Sequence, residues 1–171
     1  MTIILTTKRL FIRPFTLDDA PFILELLNEP SFIQNIGDRG VRSLADACAY
    51  LLNGPIASYE RNGFGLYGVE LKAEGVMVGM CGLIRRDTLP DVDIGFAFLP
   101  PYWGLGYAFE AAAAVMAYGR DALKLDRIVA IVSPGNEASI NVLRKLGLHY
   151  ERMIPWADDD SALKLFVPAP V

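Results

Sequence analysis

Between Asp93 and Glu110 the chain reads Asp-Ile-Gly-Phe-Ala-Phe-Leu-Pro-Pro-Tyr-Trp-Gly-Leu-Gly-Tyr-Ala-Phe-Glu, and the alanine run Ala111–Ala114 follows directly. A strand-like stretch meets a glycine turn, and the turn opens straight into a helix. That order leaves unpaired backbone N–H groups at a helix start, with the helix dipole behind them. A phosphate or pyrophosphate suits such a place. Any fold for this chain has to accommodate that junction.

The elements around it follow from periodicity and punctuation. Arg9–Phe15 is a short strand signal that Pro14 ends or puts at an edge. Thr16 with Asp19 three residues on caps a helix whose apolar face is Phe22, Ile23, Leu26 and Leu27, and Pro30 is expected to stop it. Residues 31–42 read as an irregular loop. Ser43 caps a second helix, which Gly54-Pro55 bends or restarts. Phe64–Leu71 and Val76–Arg85 form a hairpin around Lys72–Gly75, with Gly79 and Gly82 marking a bulge. Val92–Leu99 is the next strand, and an alanine-rich helix runs from about Gly106 to Leu123.

Arg127–Val132 is a β-branched run that reads as a central buried strand. Pro134-Gly135-Asn136 turns into a helix ending at Gly147. His149–Ile154 and Ala162–Val167 close the chain as an antiparallel pair around the loop Pro155–Ser161. The order is β-α-α-β-β-β-α-β-α-β-β, a mixed α/β chain with no internal repeat and no linker. Its 171 residues are read as one domain spanning 1–171.

Composition excludes several functions. No stretch of about 18 apolar residues escapes charge, Pro and Gly, so no membrane span is expected. The first residues lack a signal peptide's pattern, which makes a cytoplasmic protein the expectation. A net charge of −4 argues against a nucleic-acid surface. With one histidine, His149, and two distant cysteines, Cys48 and Cys81, neither a metal site nor a disulfide framework is expected. The glycine loop lacks the third glycine of a dinucleotide fingerprint and lies mid-chain.

Taken together, the motifs resemble the GNAT superfamily of acyl-CoA N-acyltransferases, and within it the ribosomal-protein alanine acetyltransferases of RimJ/RimL type. Four segments carry the likeness: Thr7–Pro14 with Leu17–Asp19, Asp93–Phe96, Tyr102–Ala111, and Asn136–Leu148. The resemblance implies a mostly antiparallel, splayed central sheet flanked by helices. It implies acetyl-CoA as co-substrate, its pantetheine arm beside the strand at Phe96, Ala97 and Phe98. The pyrophosphate would rest on the amides of Trp103, Gly104, Leu105, Gly106, Tyr107 and Ala108. Asn136, Ser139 and Asn141 are implied as further cofactor contacts. Trp103 stands where the superfamily commonly has Gln or Arg, which leaves phosphate binding to backbone amides.

Acetyl transfer to an amine needs a neutral amine, a polarised thioester carbonyl and a proton for the departing thiolate. For the first, Asp93 stands where the branch often has Glu. It is either the group that takes the ammonium proton or a strand-edge carboxylate in solvent, with Asp91 on the same face. For the second, a backbone N–H near Phe96–Phe98 is implied. For the third, the superfamily's usual Tyr is replaced by Leu143, and Ser139 is implied as the proton relay. Tyr102 and Tyr107 read as packing residues, and His149 as strand surface or core.

The resemblance implies a protein N-terminus or a small molecule as the acceptor amine, in a groove flanked by 31–42 and Pro155–Ser161. The acid cluster Asp158, Asp159 and Asp160 is either an attractor for it or a solvated hairpin tip. A non-catalytic acyl-CoA sensor on the same fold is the alternative function, and a homodimer is a further expectation from the apolar composition.

Overall fold

The chain opens with β1 (Leu5–Thr6) and β2 (Leu10–Pro14), which pair antiparallel. The structure, a computed structural model, describes residues 2–156 and 161–170, so the acid cluster at 158–160 lies outside the described residues. Leu10 and Ile12 point inward from alternate positions of β2 and are fully buried. Thr16 and Asp19 form the expected capping box: Thr16 Oγ1 accepts from the Asp18 N–H at 3.3 Å, and the Thr16 N–H donates to Asp19 Oδ2 at 2.9 Å. A single 3₁₀ turn, Leu17–Asp19, then leads into α1 (Ala20–Leu27).

The first helix ends before Pro30 as expected, but Pro30 then occupies the first turn of α2 (Pro30–Asn35), where a missing N–H costs nothing and the fixed φ is already helical. Residues 31–35 of the expected loop over 31–42 are therefore helix. Gly54-Pro55 interrupts the next helical run, which restarts before Tyr59 as expected. Ser43 caps α3 (Leu44–Leu51), the chain widens to a π-type turn over Leu52–Ile56, and α4 (Ala57–Asn62) continues. Pro55, which has no N–H to donate, sits inside that wide turn.

The remaining strands are β3 (Leu66–Leu71), β4 (Met77–Ile84), β5 (Val92–Phe98), β6 (Ile128–Val132), β7 (Leu148–Pro155) and β8 (Ala162–Pro168). They form one eight-stranded sheet in the order β1-β2-β3-β4-β5-β6-β8-β7. Helix α5 (Tyr107–Asp121) crosses from β5 to β6, and α6 (Glu137–Lys145) from β6 to β7. All neighbouring strands run antiparallel except β5 and β6. Those two are parallel and aligned only at Val92–Ile128 and Asp93–Val129. Beyond Asp93 they part, and this is the splay in the sheet.

The expected bulge lies where the register between β3 and β4 shifts, at Val69/Glu70 opposite Gly79. Gly82 is needed for a different reason: a Cβ there would sit 2.1 Å from the Gly65 carbonyl oxygen. The sheet's two faces carry separate cores. Ala111, Ala112 and Val115 of α5 pack with Leu83, Ile94 and Val69 on one side. Ile23, Leu26 and Leu27 of α1 and Leu51 of α3 pack with Phe15, Met80 and Leu99 on the other.

Candidate active site

Strand alternation decides which backbone groups face the splay. The Leu99 N–H donates to the Val78 carbonyl at 3.0 Å, so Leu99, Ala97, Gly95 and Asp93 form the β5 set that bonds to β4. Phe96 and Phe98 therefore turn their N–H and C=O groups toward the gap. The Phe98 carbonyl is already taken: the Trp103 indole N–H donates to it at 2.8 Å. That contact gives Trp103 a positioning task at the position where a polar side chain is usual in the resembling superfamily. Both groups of Phe96 and the N–H of Phe98 remain aimed into the gap.

A 3₁₀ turn at Pro100–Tyr102 ends β5 and delivers the loop before α5. Gly104 (φ +75°) and Gly106 (φ +84°) are both left-handed, which residues with a Cβ rarely adopt. Left-handed residues interspersed in such a turn aim successive amides into one concavity, the geometry of a backbone anion site. The 15-residue α5 adds its dipole directly behind.

The loop and β5 face a cleft of about 600 Å³. Of the residues expected to hold the cofactor, Phe96, Ala97, Phe98, Trp103, Gly104, Gly106, Tyr107, Ala108, Asn136, Ser139 and Asn141 all line it. Leu105 does not. Its side chain is 51% exposed and its carbonyl accepts from Arg9 Nη1 at 2.8 Å, on the outer side of the loop. On α6, Asn136 is the N-cap, with Oδ1 accepting from the Ser139 N–H at 3.3 Å, and this fixes Ser139 on the turn that borders the cleft.

Asp93 is placed differently from either expectation. It is 1% exposed, so the solvent reading fails, and it is not among the cleft-lining residues. Its two oxygens accept from Arg86 Nε at 2.9 Å and Nη2 at 3.3 Å. The Arg86 guanidinium lies 5.3 Å from the centre of the Trp156 ring. Burial pushes the Asp93 carboxyl above its ordinary range, and the charge of Arg86 only partly pulls it back. Asp93 nonetheless sits at the last paired position before β5 and β6 separate, at the apex of the splay. Asp91 does not share this setting; it pairs with Arg127 at 3.2 Å. His149 is exposed on β7, and Leu143 fills the core.

Phe32, Asn35 and Ile36, within the stretch 31–42 that the resemblance implies flanks the acceptor groove, also line the cleft, from a helix and its C-cap and not from a loop. The signal was available, because Pro30 in a first-turn position announces a helix. Tyr102 lines the cleft while also packing into the core, so its assignment to packing was incomplete. Ser133, just after β6, donates from Oγ to the Asn35 carbonyl at 2.5 Å and ties that wall to the α6 side. Nothing local in the sequence indicates this contact.

A parallel strand pair that splits beside a left-handed glycine loop and a capped helix frames this cleft. Comparison with known proteins gives the family. The Acetyltransferase (GNAT) domain profile matches residues 9–149. The uncharacterized N-acetyltransferase YnaD of Bacillus subtilis is 31% identical over 147 residues, 86% of this chain and 83% of that protein. The uncharacterized protein YkkB of the same organism is 37% identical over 94 residues, 54% of this chain and 55% of YkkB. Among solved structures, the ribosomal L7/L12 alpha-N-protein acetyltransferase RimL in complex with coenzyme A superposes with a TM-score of 0.84. It covers 97% of each chain at 18% identity, a likeness of fold. The chain belongs to the GNAT acetyltransferase family, and it is an N-acetyltransferase.

Proposed function

We propose that this enzyme transfers an acetyl group from acetyl-CoA to a primary amine by direct attack in a ternary complex, as a member of the RimJ/RimL-type branch. The observation that carries the reading is the convergence, in one cleft, of the Phe96–Phe98 backbone, the glycine loop and the capped start of α6. Residues 1–171 are taken as one domain for this activity.

The residues present fit the donor. The left-handed Gly104 and Gly106 leave room for a pyrophosphate over the loop amides, and the groups aimed from Phe96 and Phe98 suit the amides of a pantetheine arm. When bound, acetyl-CoA supplies a thioester carbonyl and a thiolate leaving group. The Phe96 or Phe98 N–H polarises that carbonyl, fixed in place beforehand by the sheet. Ser139 gives the sulfur a hydrogen-bond donor at a helix start, where the dipole favours negative charge. Asp93 receives the ammonium proton at the apex, where burial raises its proton affinity and Arg86 draws it partly back.

A second role for Asp93 is favoured by one observation: both of its oxygens are occupied by Arg86, outside the cleft lining. In that reading Asp93 positions Arg86 and Trp156 at the acceptor end, and solvent takes the proton. Asp93→Asn separates the two. A proton acceptor predicts a kcat loss of about a hundredfold or more and disappearance of the acidic limb of the kcat/KM profile. A positioning role predicts an unchanged limb and a raised acceptor KM.

RimL acts on a ribosomal protein by its name, which places protein N-termini first among acceptors to try. The test is an acetylation assay across N-terminal peptides and small amines with acetyl-CoA as donor. Transfer to members of one class supports the proposal and names the acceptor. Tight CoA binding with no transfer to any amine would contradict it in favour of an acyl-CoA sensor.

A further inference from the structure

Arg9 stands a hundred residues away in sequence from the glycine loop and holds it from behind. Its Nη1 donates to the Leu105 carbonyl at 2.8 Å, and its Nε donates to Glu110 Oε1 at 2.6 Å. Its guanidinium carbon lies 4.3 Å from the centre of the Tyr107 ring, and Nη2 lies 3.3 Å from where a Gly106 Cβ would be. One planar side chain thus touches the loop, the first turn of α5 and the residue between them.

The clamp is itself anchored. Glu110 Oε2 accepts from the Thr7 hydroxyl at 2.6 Å and from the Arg9 N–H at 2.9 Å, while the Arg9 carbonyl accepts from the Lys72 N–H at 2.9 Å. Desolvation would raise the Glu110 carboxyl, but the hydrogen bonds from Thr7 and Arg9 outweigh it and hold the group below its ordinary range. Glu110 is therefore charged when it holds Arg9.

The consequence follows from peptide geometry. The Leu105–Gly106 peptide is trans and planar, so its C=O and N–H point in opposite directions. Arg9 draws the Leu105 carbonyl to the outer side of the loop, and the Gly106 N–H is thereby turned to the cleft side. Glycine at 106 accepts either orientation of this peptide at little steric cost, so the loop's own sequence does not choose between them. In the flipped state a carbonyl oxygen would face the cleft, where it repels phosphate.

We propose that Arg9 is a positioning residue for the phosphate-binding loop: it sets the orientation of the Leu105–Gly106 peptide so that the Gly106 N–H meets the pyrophosphate of the acyl donor. This rests on the reading of the loop given above, and the experiment keeps the two apart. Dissociation constants for CoA and for pantetheine, which lacks the pyrophosphate and nucleotide, are measured by calorimetry with competition.

Wild-type protein binds CoA far more tightly than pantetheine. Arg9→Met weakens CoA by about 10- to 100-fold, the loss of one or two hydrogen bonds to a charged group, and leaves pantetheine unchanged. General damage would weaken both ligands together. Arg9→Lys, which keeps a donor and the charge, falls between wild type and Arg9→Met, and it carries the test if Arg9→Met does not fold. A folded Arg9→Met or Arg9→Lys protein with the wild-type ratio of the two constants overturns the proposal. Wild-type protein that binds the two ligands equally removes the pyrophosphate reading itself, and this inference with it.

Discussion

The glycine-loop wall of the cleft is tied by directional polar contacts. Trp103 holds the Phe98 carbonyl, Arg9 holds the Leu105 carbonyl, and Glu110 receives Thr7 and Arg9 together. The opposite wall, from the end of α1 through α2, rests on apolar packing of Ile23, Leu26, Leu27, Phe32 and Leu51 against Phe15, Met80 and Leu99. Polar ties are present here too: Ser133 donates to the Asn35 carbonyl, and Asn28 Nδ2 donates to the Leu24 and Val41 carbonyls. Polar ties fix which way a peptide faces, which a pyrophosphate requires. Apolar packing fixes where a helix lies and leaves its exposed residues free to differ. In the proposed function the donor lies on the first wall and the acceptor on the second.

The largest effect should come from cutting the packed wall. Leu51 is fully buried, and Leu51→Ala is expected to cost about 2–5 kcal/mol in urea unfolding. At temperatures where the variant remains folded, CoA affinity should stay near that of wild type. An equal loss of CoA affinity would mean that the two walls are not separately held.

That separation also explains what the sequence made legible. Strands and helices were readable because apolar periodicity is local, and the donor wall because Gly104, Gly106 and the Asn136 cap are local signals. The restart beyond Pro55 was readable, but the helix that Pro30 opens was missed, because a proline that stops one helix can also begin the next. Asp93 was visible as a residue and invisible in its setting, since burial and Arg86 come from the fold. The tie of Arg9 to Glu110 spans 101 positions and leaves no local mark at all.

A smaller effect is expected at the loop. Gly106→Val forces a β-branched residue into φ +84° beside Arg9 Nη2, and it should raise the CoA dissociation constant about tenfold or more. Acceptor KM should hold steady in steady-state assays. If acceptor KM moves as far as CoA affinity, the division of labour between the walls is wrong.

The smallest effect concerns pH. Glu110 has a folded-state proton affinity below the ordinary glutamate value of 4.5, so its contribution to stability is present above that value and is lost as pH falls through its lowered folded value. The difference in Tm between wild type and Glu110→Gln should therefore be full near neutral pH and shrink under acid. A constant difference from pH 7 down to pH 4 would show that charge on Glu110 does not hold the loop.

The central claim, that the donor lies across β5 and the glycine loop, is tested most directly by the amide NMR spectrum of the labelled protein titrated with CoA. The predicted result is that the N–H signals of Phe96, Phe98, Gly104 and Gly106 shift together with one affinity, while those of α3 and α4 hold still. Shifts confined to other parts of the chain, with the Gly104 and Gly106 signals unmoved at saturation, would contradict it.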